Sequence, residues 1–259
     1  MSSTVPLKVR VTGSGKPVLI LHGLFGSSRN WASLSKQLAE DFQVWCVDLR
    51  NHGESPHHAL MNYEVMAADI AALLGREGLT HLPIVGHSMG GKTAMWFALN
   101  HPQCVERLMV ADIAPVSYAH GYDGMIEAMQ RVDLSVVKRR GEVDAQLRDT
   151  VPEPGIRQFL LTNLVSEGGA YQWRVNLAAI AANMPAITGF PATLEGGLSY
   201  AGDTLFLGGA RSPYITPEYH SRILALFPNT EFRELPDTGH WVHAERPKQF
   251  LQIARKFLA

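Results

Sequence analysis

The feature that most constrains the fold of this chain is a serine between two glycines, at the junction of a strand-like run and a helix-like run. Residues 86–90 read GHSMG; they follow the apolar run LPIV at 82–85 and precede the run KTAMWFAL at 92–99. Glycine at both ends of the pentapeptide removes Cβ atoms that a sharp turn cannot accommodate. Such a turn lifts the Ser88 hydroxyl clear of its neighbours and predicts a nucleophile. The alternative is a glycine-rich turn with a passive serine.

Strand-like and helix-like segments alternate through residues 1–114. The strand-like runs are mostly continuous in apolar residues, which is typical of parallel strands buried on both faces. This alternation predicts an α/β fold with a mostly parallel central sheet flanked by helices. The predicted strands cover residues 7–11, 17–21, 42–47, 82–85 and 107–111, and the predicted helices cover 30–40, 63–74 and 88–99.

The alternation stops after the fifth predicted strand. Between residues 115 and 198 the apolar residues have helical spacing, prolines separate the segments, and no strand is predicted. The strand pattern returns at 204–207 and 231–235, and a helix is predicted at the C-terminal end. We therefore expect a core made of residues 1–114 and 199–259, with a helical cap inserted at residues 115–198. The alternative is that these helices simply cover the sheet.

Composition excludes several classes of function. The 259 residues carry a net charge of −1 and no basic stripe, so no nucleic-acid partner is expected. The 11 histidines are scattered, without an H-E-x-x-H motif or a Cys/His cluster, so no metal site is expected. Cys46 and Cys104 are dispersed and are predicted to be reduced. Because the first residues lack a signal-peptide pattern and no run is long enough to span a membrane, a cytoplasmic location is expected.

Four stretches of the chain resemble the α/β-hydrolase superfamily. They are LHGLFG at 21–26, DLRNHGES at 48–55, GHSMG at 86–90 and GHW at 239–241. Three further stretches resemble small intracellular carboxylesterases of the YbfF type: ADIAP at 111–115, WRVN at 173–176 and GHWVHAE at 239–245. The resemblance covers nearly the whole chain. It implies the α/β-hydrolase fold and a catalytic serine, histidine and acid.

His240 is the candidate base for Ser88. A serine hydroxyl is a poor nucleophile at neutral pH and needs a neighbouring base to accept its proton. His240 follows Gly239, lies just beyond the last predicted strand and precedes the C-terminal helix, so its imidazole can reach the carboxyl end of the sheet. His243 is a rival three residues later. No glycine precedes His243, and a helix-start or supporting role is favoured for it.

The acid that orients this base is expected at Asp112. The resemblance implies an acid after the first strand beyond the cap, yet residues 207–215 (LGGARSPYI) contain no carboxylate. Asp112 follows the predicted strand 107–111, at the carboxyl edge where open α/β sheets form their sites. Some members of the superfamily take their acid from this strand, and Asp112 would accept a hydrogen bond from His240 Nδ1. The alternative is that Asp112 only caps the turn before Pro115.

Backbone donors and aromatic side chains complete the candidate site. The Met89 N–H lies at the start of the predicted helix after Ser88, where the helix dipole stabilises negative charge. A second donor to an oxyanion is expected from the loop at 21–26, at the Leu24 N–H. For Phe25 the expected role is to line the acyl pocket, and a core position is the alternative. The candidate substrate-binding residues are Phe25, Trp173 and Trp241.

These residues and the resemblance together predict a serine carboxylesterase. It would cleave short- to medium-chain carboxylic esters or acyl thioesters through an acyl-enzyme on Ser88. The expected partner is this small-molecule substrate, no cofactor is needed, and no feature predicts an oligomeric state. The alternatives on the same fold are a C–C bond hydrolase and a cofactor-free perhydrolase. A non-catalytic ligand-binding module is the alternative from another class, and it would not need both Ser88 and His240.

Overall fold

The computed structural model of the chain describes residues 4–119, 122–191 and 197–259. Residues 1–3 lie outside the described residues, and they belong to the N-terminal stretch for which no signal peptide is expected. Residues 120–121 and 192–196 of the predicted cap lie outside them too. No helix within the described ranges combines the length and the apolar character that crossing a bilayer requires.

A seven-stranded sheet forms the centre of the described chain. In chain order the strands are β1 (Lys8–Thr12), β2 (Pro17–Leu21), β3 (Gln43–Asp48), β4 (Leu82–His87), β5 (Val105–Ala111), β6 (Leu164–Glu167), β7 (Ala170–Trp173), β8 (Asp203–Gly209) and β9 (Thr230–Leu235). The central sheet has the order β1-β3-β2-β4-β5-β8-β9. Each neighbouring pair is parallel except the edge pair β1–β3. The predicted mostly parallel sheet is confirmed.

Helices cover both faces of this sheet. In chain order they are α1 (Ala32–Leu38), α2 (Tyr63–Glu77), α3 (Met89–Asn100), α4 (Asp123–Arg131), α5 (Arg140–Leu147), α6 (Pro154–Leu161), α7 (Leu177–Ala182), α8 (Met184–Thr188), α9 (Pro217–Leu226), α10 (Val242–Glu245) and α11 (Pro247–Leu258). Helices α2 and α3 contribute to one apolar cluster, and α1 and α11 contribute to a second. Because both faces are covered, strands such as β4 are buried along their whole length.

The segment between β5 and β8 contains α4 to α8, as its helical spacing predicted, but it also contains the antiparallel hairpin β6–β7. The prediction that no strand occurs there is therefore wrong. The hairpin turns at Gly168 and Gly169, whose φ angles are 58° and 87°. Two glycines in a two-residue turn are a hairpin signal. The strands are only four residues long and largely exposed or half-buried, so they lack the buried alternation that predicts a strand.

A buried ion pair fixes the loop that follows β3. Arg50 Nε and Asp69 Oδ2 are 2.7 Å apart, and both side chains are almost completely buried. Asp69 Oδ1 also accepts from Arg50 Nη2 and from the Val5 N–H, each at 2.8 Å. The next residue in the loop, Asn51, accepts the Asn176 N–H at 2.9 Å through its carbonyl. The loop thus joins the core to the start of α7.

We expect Asp69→Ala to lower the free energy of unfolding by about 3–5 kcal/mol, because it removes the carboxylate that neutralises the buried Arg50 guanidinium. Glu127→Ala is the matched control, since it breaks an exposed i,i+4 pair with Arg131 and should cost less than about 1 kcal/mol. Urea denaturation of both variants measures the difference. Equal losses of stability would contradict the structural role of the buried pair.

Candidate active site

Ser88 lies on the turn between β4 and α3 in a backbone conformation that side chains rarely adopt. Its φ is 52° and its ψ is −121°, and its N–H donates to the Ala111 carbonyl at 3.1 Å. A Cβ at Gly86 would collide with the Gly90 carbonyl, and a Cβ at Gly90 would collide with the Leu21 carbonyl. The two glycines therefore allow strand and helix to approach, and strain of the kind seen at Ser88 is concentrated at functional sites.

The structure brings together the three residues predicted to act as nucleophile, base and acid. His240 Nε2 is 2.9 Å from Ser88 Oγ, and His240 Nδ1 is 2.7 Å from Asp112 Oδ2. The Asp112 side chain is fully buried, whereas 13% of the His240 side chain is exposed. A carboxylate can only accept, so the imidazole donates from Nδ1 and keeps a lone pair on Nε2 for the serine proton.

The backbone of two neighbouring strands holds Asp112. It follows β5 directly with a φ of 53°, a region that aspartate tolerates better than most side chains, and its N–H donates to the Leu207 carbonyl at 2.9 Å. Asp112 Oδ1 accepts the Gly209 N–H at 2.9 Å, and Oδ2 accepts the Ser212 hydroxyl. Ser212 lies in the stretch where the resemblance implies an acid. In place of that acid this chain has Ser212, whose hydroxyl donates to Asp112 at the end of the neighbouring strand β5.

Three hydrogen bonds position the loop that carries His240. Glu245 accepts the Gly239 N–H at 2.9 Å and the Trp241 N–H at 3.3 Å. His87 donates its Nε2–H to the His240 carbonyl at 2.9 Å. Burial lowers the pKa of His87 well below its usual value, so the ring is neutral and has one N–H to donate. The loop is therefore joined directly to the end of β4.

Two buried histidines shape the loop after β2. His22 Nε2 accepts the N–H of Leu49, the residue after β3, at 3.0 Å, and His52 Nε2 accepts the Phe25 N–H at 3.1 Å. Burial lowers the pKa of both rings, that of His52 to about 3, so both rings are neutral and can accept. Within the described part of the chain, no backbone bond outside the regular elements uses the N–H of Leu24 or of Met89. Because the first N–H groups of a helix have no acceptor within it, the Met89 N–H at the start of α3 is not used by that helix either.

A cavity of about 240 Å³, the outer cavity, opens beside Ser88 and His240. Its other walls are mainly apolar and include side chains from α4 and α6. The sequence-predicted residues Phe25 and Trp241 both line this cavity. The lining includes Phe25, Met125, Ile156, Phe159, Tyr214 and Trp241.

Trp173 is the one candidate substrate-binding residue whose expected position needs correction. Its Nε1–H donates to the Met129 carbonyl at 3.0 Å, and it lines a separate surface depression together with Glu54 and Arg174. The walls of the outer cavity do not include it. The physical reason is the hairpin, because Trp173 ends the extended strand β7 in a segment where no strand was predicted.

Sequence reasoning missed several groups around His240. The Tyr214 ring centroid lies 4.3 Å from that of His240, and the Tyr214 hydroxyl is 3.2 Å from the Tyr122 hydroxyl. Ser212 had a signal, because it fills the position where an acid was expected and absent. The tyrosines had none, since an aromatic residue in a loop or an amphipathic helix fits a core position equally well.

His243, the rival base, lies in the wall of the outer cavity rather than against Ser88. Its ring stacks on Trp31 with centroids 4.3 Å apart and packs against His87 at 4.5 Å. Its Nδ1 atom is buried and has no hydrogen-bond partner among the described residues. Burial lowers the pKa of His243 to about 3, with the nearby His240 as a smaller cause. The ring is therefore a neutral packing group at the start of α10.

The arrangement supports nucleophilic attack on an electrophilic carbon. A hydroxyl paired with a neutral imidazole can lose its proton during attack, and adjacent backbone N–H groups can stabilise the resulting oxyanion. As for metal chemistry, no group of three or more His, Cys, Asp or Glu side chains in residues 4–119, 122–191 and 197–259 is arranged to hold an ion.

Comparisons with known proteins cover nearly the whole chain. A family model described as "Alpha/beta hydrolase family" matches residues 18–253. The Mus musculus protein named sn-1-specific diacylglycerol lipase ABHD11 is 45% identical over 250 residues, which cover 93% of this chain and 80% of that protein. Esterase YbfF of Escherichia coli (strain K12) is 34% identical over 246 residues, covering 95% and 94%. A solved structure described as a marine microorganism esterase matches with a TM-score of 0.95 at 39% identity, covering 98% and 100%.

The neutral buried histidines predict a loss of stability in acid. Burial lowers the pKa of His243 in the folded protein from 6.5 to about 3. Between these values the unfolded chain binds the extra proton, so the stability is present above about pH 6.5 and is lost as the pH falls. His243→Phe keeps the stack on Trp31 and should reduce the dependence of unfolding free energy on pH, between pH 6 and 4.5, by about 1 kcal/mol per pH unit.

Urea denaturation at a series of pH values measures this slope. His81→Phe replaces an exposed histidine and serves as the control that should leave the slope unchanged. A slope in His243→Phe equal to that of the wild type would show that His243 is not held neutral by the fold.

Proposed function

The chain belongs to the α/β-hydrolase family, and we propose that it is a serine esterase that cleaves carboxylic esters through an acyl-enzyme on Ser88. Its likeness to named esterases and lipases makes it an esterase- or lipase-like member of that family. The observation that carries the proposal is the continuous chain of hydrogen bonds from Asp112 through His240 to Ser88, with distances of 2.7 Å and 2.9 Å.

In the first step Ser88 Oγ attacks the ester carbonyl carbon while His240 Nε2 accepts the hydroxyl proton. The carbonyl π electrons move to oxygen, which becomes the oxyanion of a tetrahedral intermediate. Asp112 stabilises the imidazolium that forms and holds it in the tautomer that faces the serine. The buried carboxylate is suited to this because its other hydrogen bonds, from Gly209 and Ser212, keep it in one orientation.

The oxyanion is stabilised by the N–H groups of Leu24 and Met89. Both donors belong to rigid backbone: Met89 starts α3, and Leu24 precedes the Phe25 N–H that His52 holds. Preorganised donors of this kind need no rearrangement as charge develops, and removal of one typically costs about 10²–10³ in rate. Backbone donors also explain why the side chains at these two positions carry no visible signal for the role.

The second half of the reaction returns the proton. The oxyanion re-forms the carbonyl, and the bond between the acyl carbon and the leaving oxygen or sulfur breaks. The imidazolium protonates that leaving atom, which departs as an alcohol or a thiol, and the acyl group stays on Ser88. A water molecule then attacks the acyl-enzyme with His240 as base, and the intermediate collapses to the carboxylic acid and the free serine. This sequence uses no metal and no organic cofactor.

Residues 115–198 act in this proposal as a cap over the sheet edge that carries Ser88. Support comes from α4 and α6, which contribute Met125, Ile156 and Phe159 to the outer cavity. Two hydrogen bonds from Asn176 to Asn51, at 2.9 Å and 3.1 Å, attach the cap to the core. The mostly apolar lining of the outer cavity favours an uncharged alcohol or thiol group there. Esters of short to medium acyl chains and acyl thioesters are open to the same chemistry.

Ser88→Ala should abolish hydrolysis of p-nitrophenyl acetate, because no other group can form the acyl-enzyme. It should also abolish stoichiometric labelling by a fluorophosphonate, while circular dichroism remains that of the wild type. Ser33→Ala, at an exposed position on α1, is the control that should keep both activities. Turnover that survives in Ser88→Ala would remove the proposed nucleophile.

Asp112→Asn should lower kcat by about 10⁴, because the amide favours the wrong imidazole tautomer while it preserves the shape of the site. Asp203→Asn is the matched control. Asp203 starts β8, at the end far from the Gly209 N–H that binds Asp112, and its carboxylate is 68% exposed. The kcat of this variant should stay within about twofold of the wild type. Steady-state kinetics with one ester compares the two. An effect of Asp112→Asn below tenfold would assign the acid role elsewhere.

A further inference from the structure

A second, smaller cavity meets the outer cavity at Ser88. This inner cavity has a volume of about 30 Å³. Its walls include Met89 and Lys92 from α3 and the aromatic rings of Tyr63 and Tyr118. Ser88 and Leu24 line both cavities, whereas His240 lines only the outer one. The attacked carbon therefore borders a larger cavity that His240 also lines and a smaller, mainly apolar cavity that has Lys92 in its wall.

The chemistry of the proposed esterase decides which part of an ester enters which cavity. The leaving oxygen must receive a proton from His240 Nε2, so the alcohol must extend into the outer cavity. The acyl group then extends in the other direction, past the N–H groups of Leu24 and Met89, into the inner cavity. This step depends on the proposed function, because it uses the base to orient the substrate.

Lys92 is a buried cation in the wall of the inner cavity. It lies one helical turn after Ser88 on α3 and is only 1% exposed. Its Nζ donates to the carbonyls of Val116, Thr188 and Gly189 at 2.8, 2.8 and 2.7 Å. It also lies 4.7 Å from the centre of the Tyr118 ring. Among the described residues no carboxylate forms an ion pair with it.

The three carbonyls satisfy the N–H groups of Lys92 but do not neutralise its charge. A buried charge without a counter-charge is costly, and burial accordingly lowers the pKa of Lys92 to about 7. A carboxylate in the inner cavity would offset that charge by Coulomb attraction, which is stronger in a buried site than in water. The hydrogen bonds from Lys92 to the carbonyls of the cap do not require a charge, because a neutral amide side chain could donate to those carbonyls too.

We propose that the inner cavity is a subsite for an acyl group that ends in a carboxylate, and that Lys92 is the residue that recognises this carboxylate. The preferred substrates are then half-esters or half-thioesters of short dicarboxylic acids, with an apolar alcohol or thiol in the outer cavity. The small volume of the inner cavity, about 30 Å³, limits the acyl group to short chains such as succinyl.

The test compares two benzyl esters that differ only in charge at the far end of the acyl group. Benzyl hydrogen succinate carries a carboxylate where benzyl 4-methylpentanoate carries an isopropyl group of similar shape. Released benzyl alcohol is measured by chromatography at pH 7. We expect kcat/KM of the wild type to be about tenfold to 100-fold higher for the succinate ester, because opposite charges attract strongly in a buried site.

Lys92→Met and Lys92→Gln should reduce this ratio to about one or below. The glutamine variant can still donate to the cap carbonyls, so a loss of preference there reports the charge rather than a loosened cap. Lys36→Met makes the same change at an exposed lysine on α1 and should leave the ratio unaltered. Because each ratio is taken within one variant, a general loss of activity cancels.

Each outcome bears on the inference. A wild type that hydrolyses both esters equally, or prefers the neutral one, would overturn the subsite and leave the proposed esterase intact; this comparison needs no variant to fold. A preference that persists in both Lys92 variants would overturn the role of Lys92. If neither ester is cleaved and Ser88 resists a fluorophosphonate, the proposed function itself fails.

Discussion

The contact between Asp112 and His240 is the interaction on which the rest of the site depends. It joins residues 128 positions apart and sets the orientation of the His240 ring. Parallel pairing of β5 with β8 fixes the carboxylate, because the Gly209 N–H and the Ser212 hydroxyl both donate to it. Once the carboxylate is fixed, it sets the imidazole tautomer, and the imidazole in turn faces the serine. Loss of register at this sheet edge would separate all three groups.

Neutral histidines provide much of the framework around this contact. His22, His52 and His87 are buried, and burial lowers the pKa of each. A neutral imidazole offers one donor and one acceptor, so it can link two loops without adding charge beside His240. His87 links the nucleophile turn to the loop of His240, while His52 holds the Phe25 N–H and so shapes the loop of Leu24. The rigidity of the site comes from these bonds.

The inserted segment connects to the site through its two ends. Lys92 donates to Val116 near the entry of the insertion and to Thr188 and Gly189 near its exit. The same helix starts immediately after Ser88. The proposed nucleophile, a proposed oxyanion donor and the cation that holds the insertion therefore lie within one short stretch of chain. We infer that substrate choice and the placement of the insertion are coupled, because a group that enters the inner cavity meets the residue that holds both ends of the inserted segment.

The sequence by itself determined the features that arise from local spacing. Continuous apolar runs predicted the parallel strands, and the glycines at 86 and 90 predicted the turn at Ser88, because burial on both faces and backbone collision are local requirements. It could not determine the hairpin β6–β7, whose strands are too short and exposed for a pattern, and so it misplaced Trp173. Only the tertiary structure decided that Ser212 supports Asp112 and that Lys92 borders a cavity. Such contacts join distant strands and loops, and their geometry exists only after the sheet has assembled.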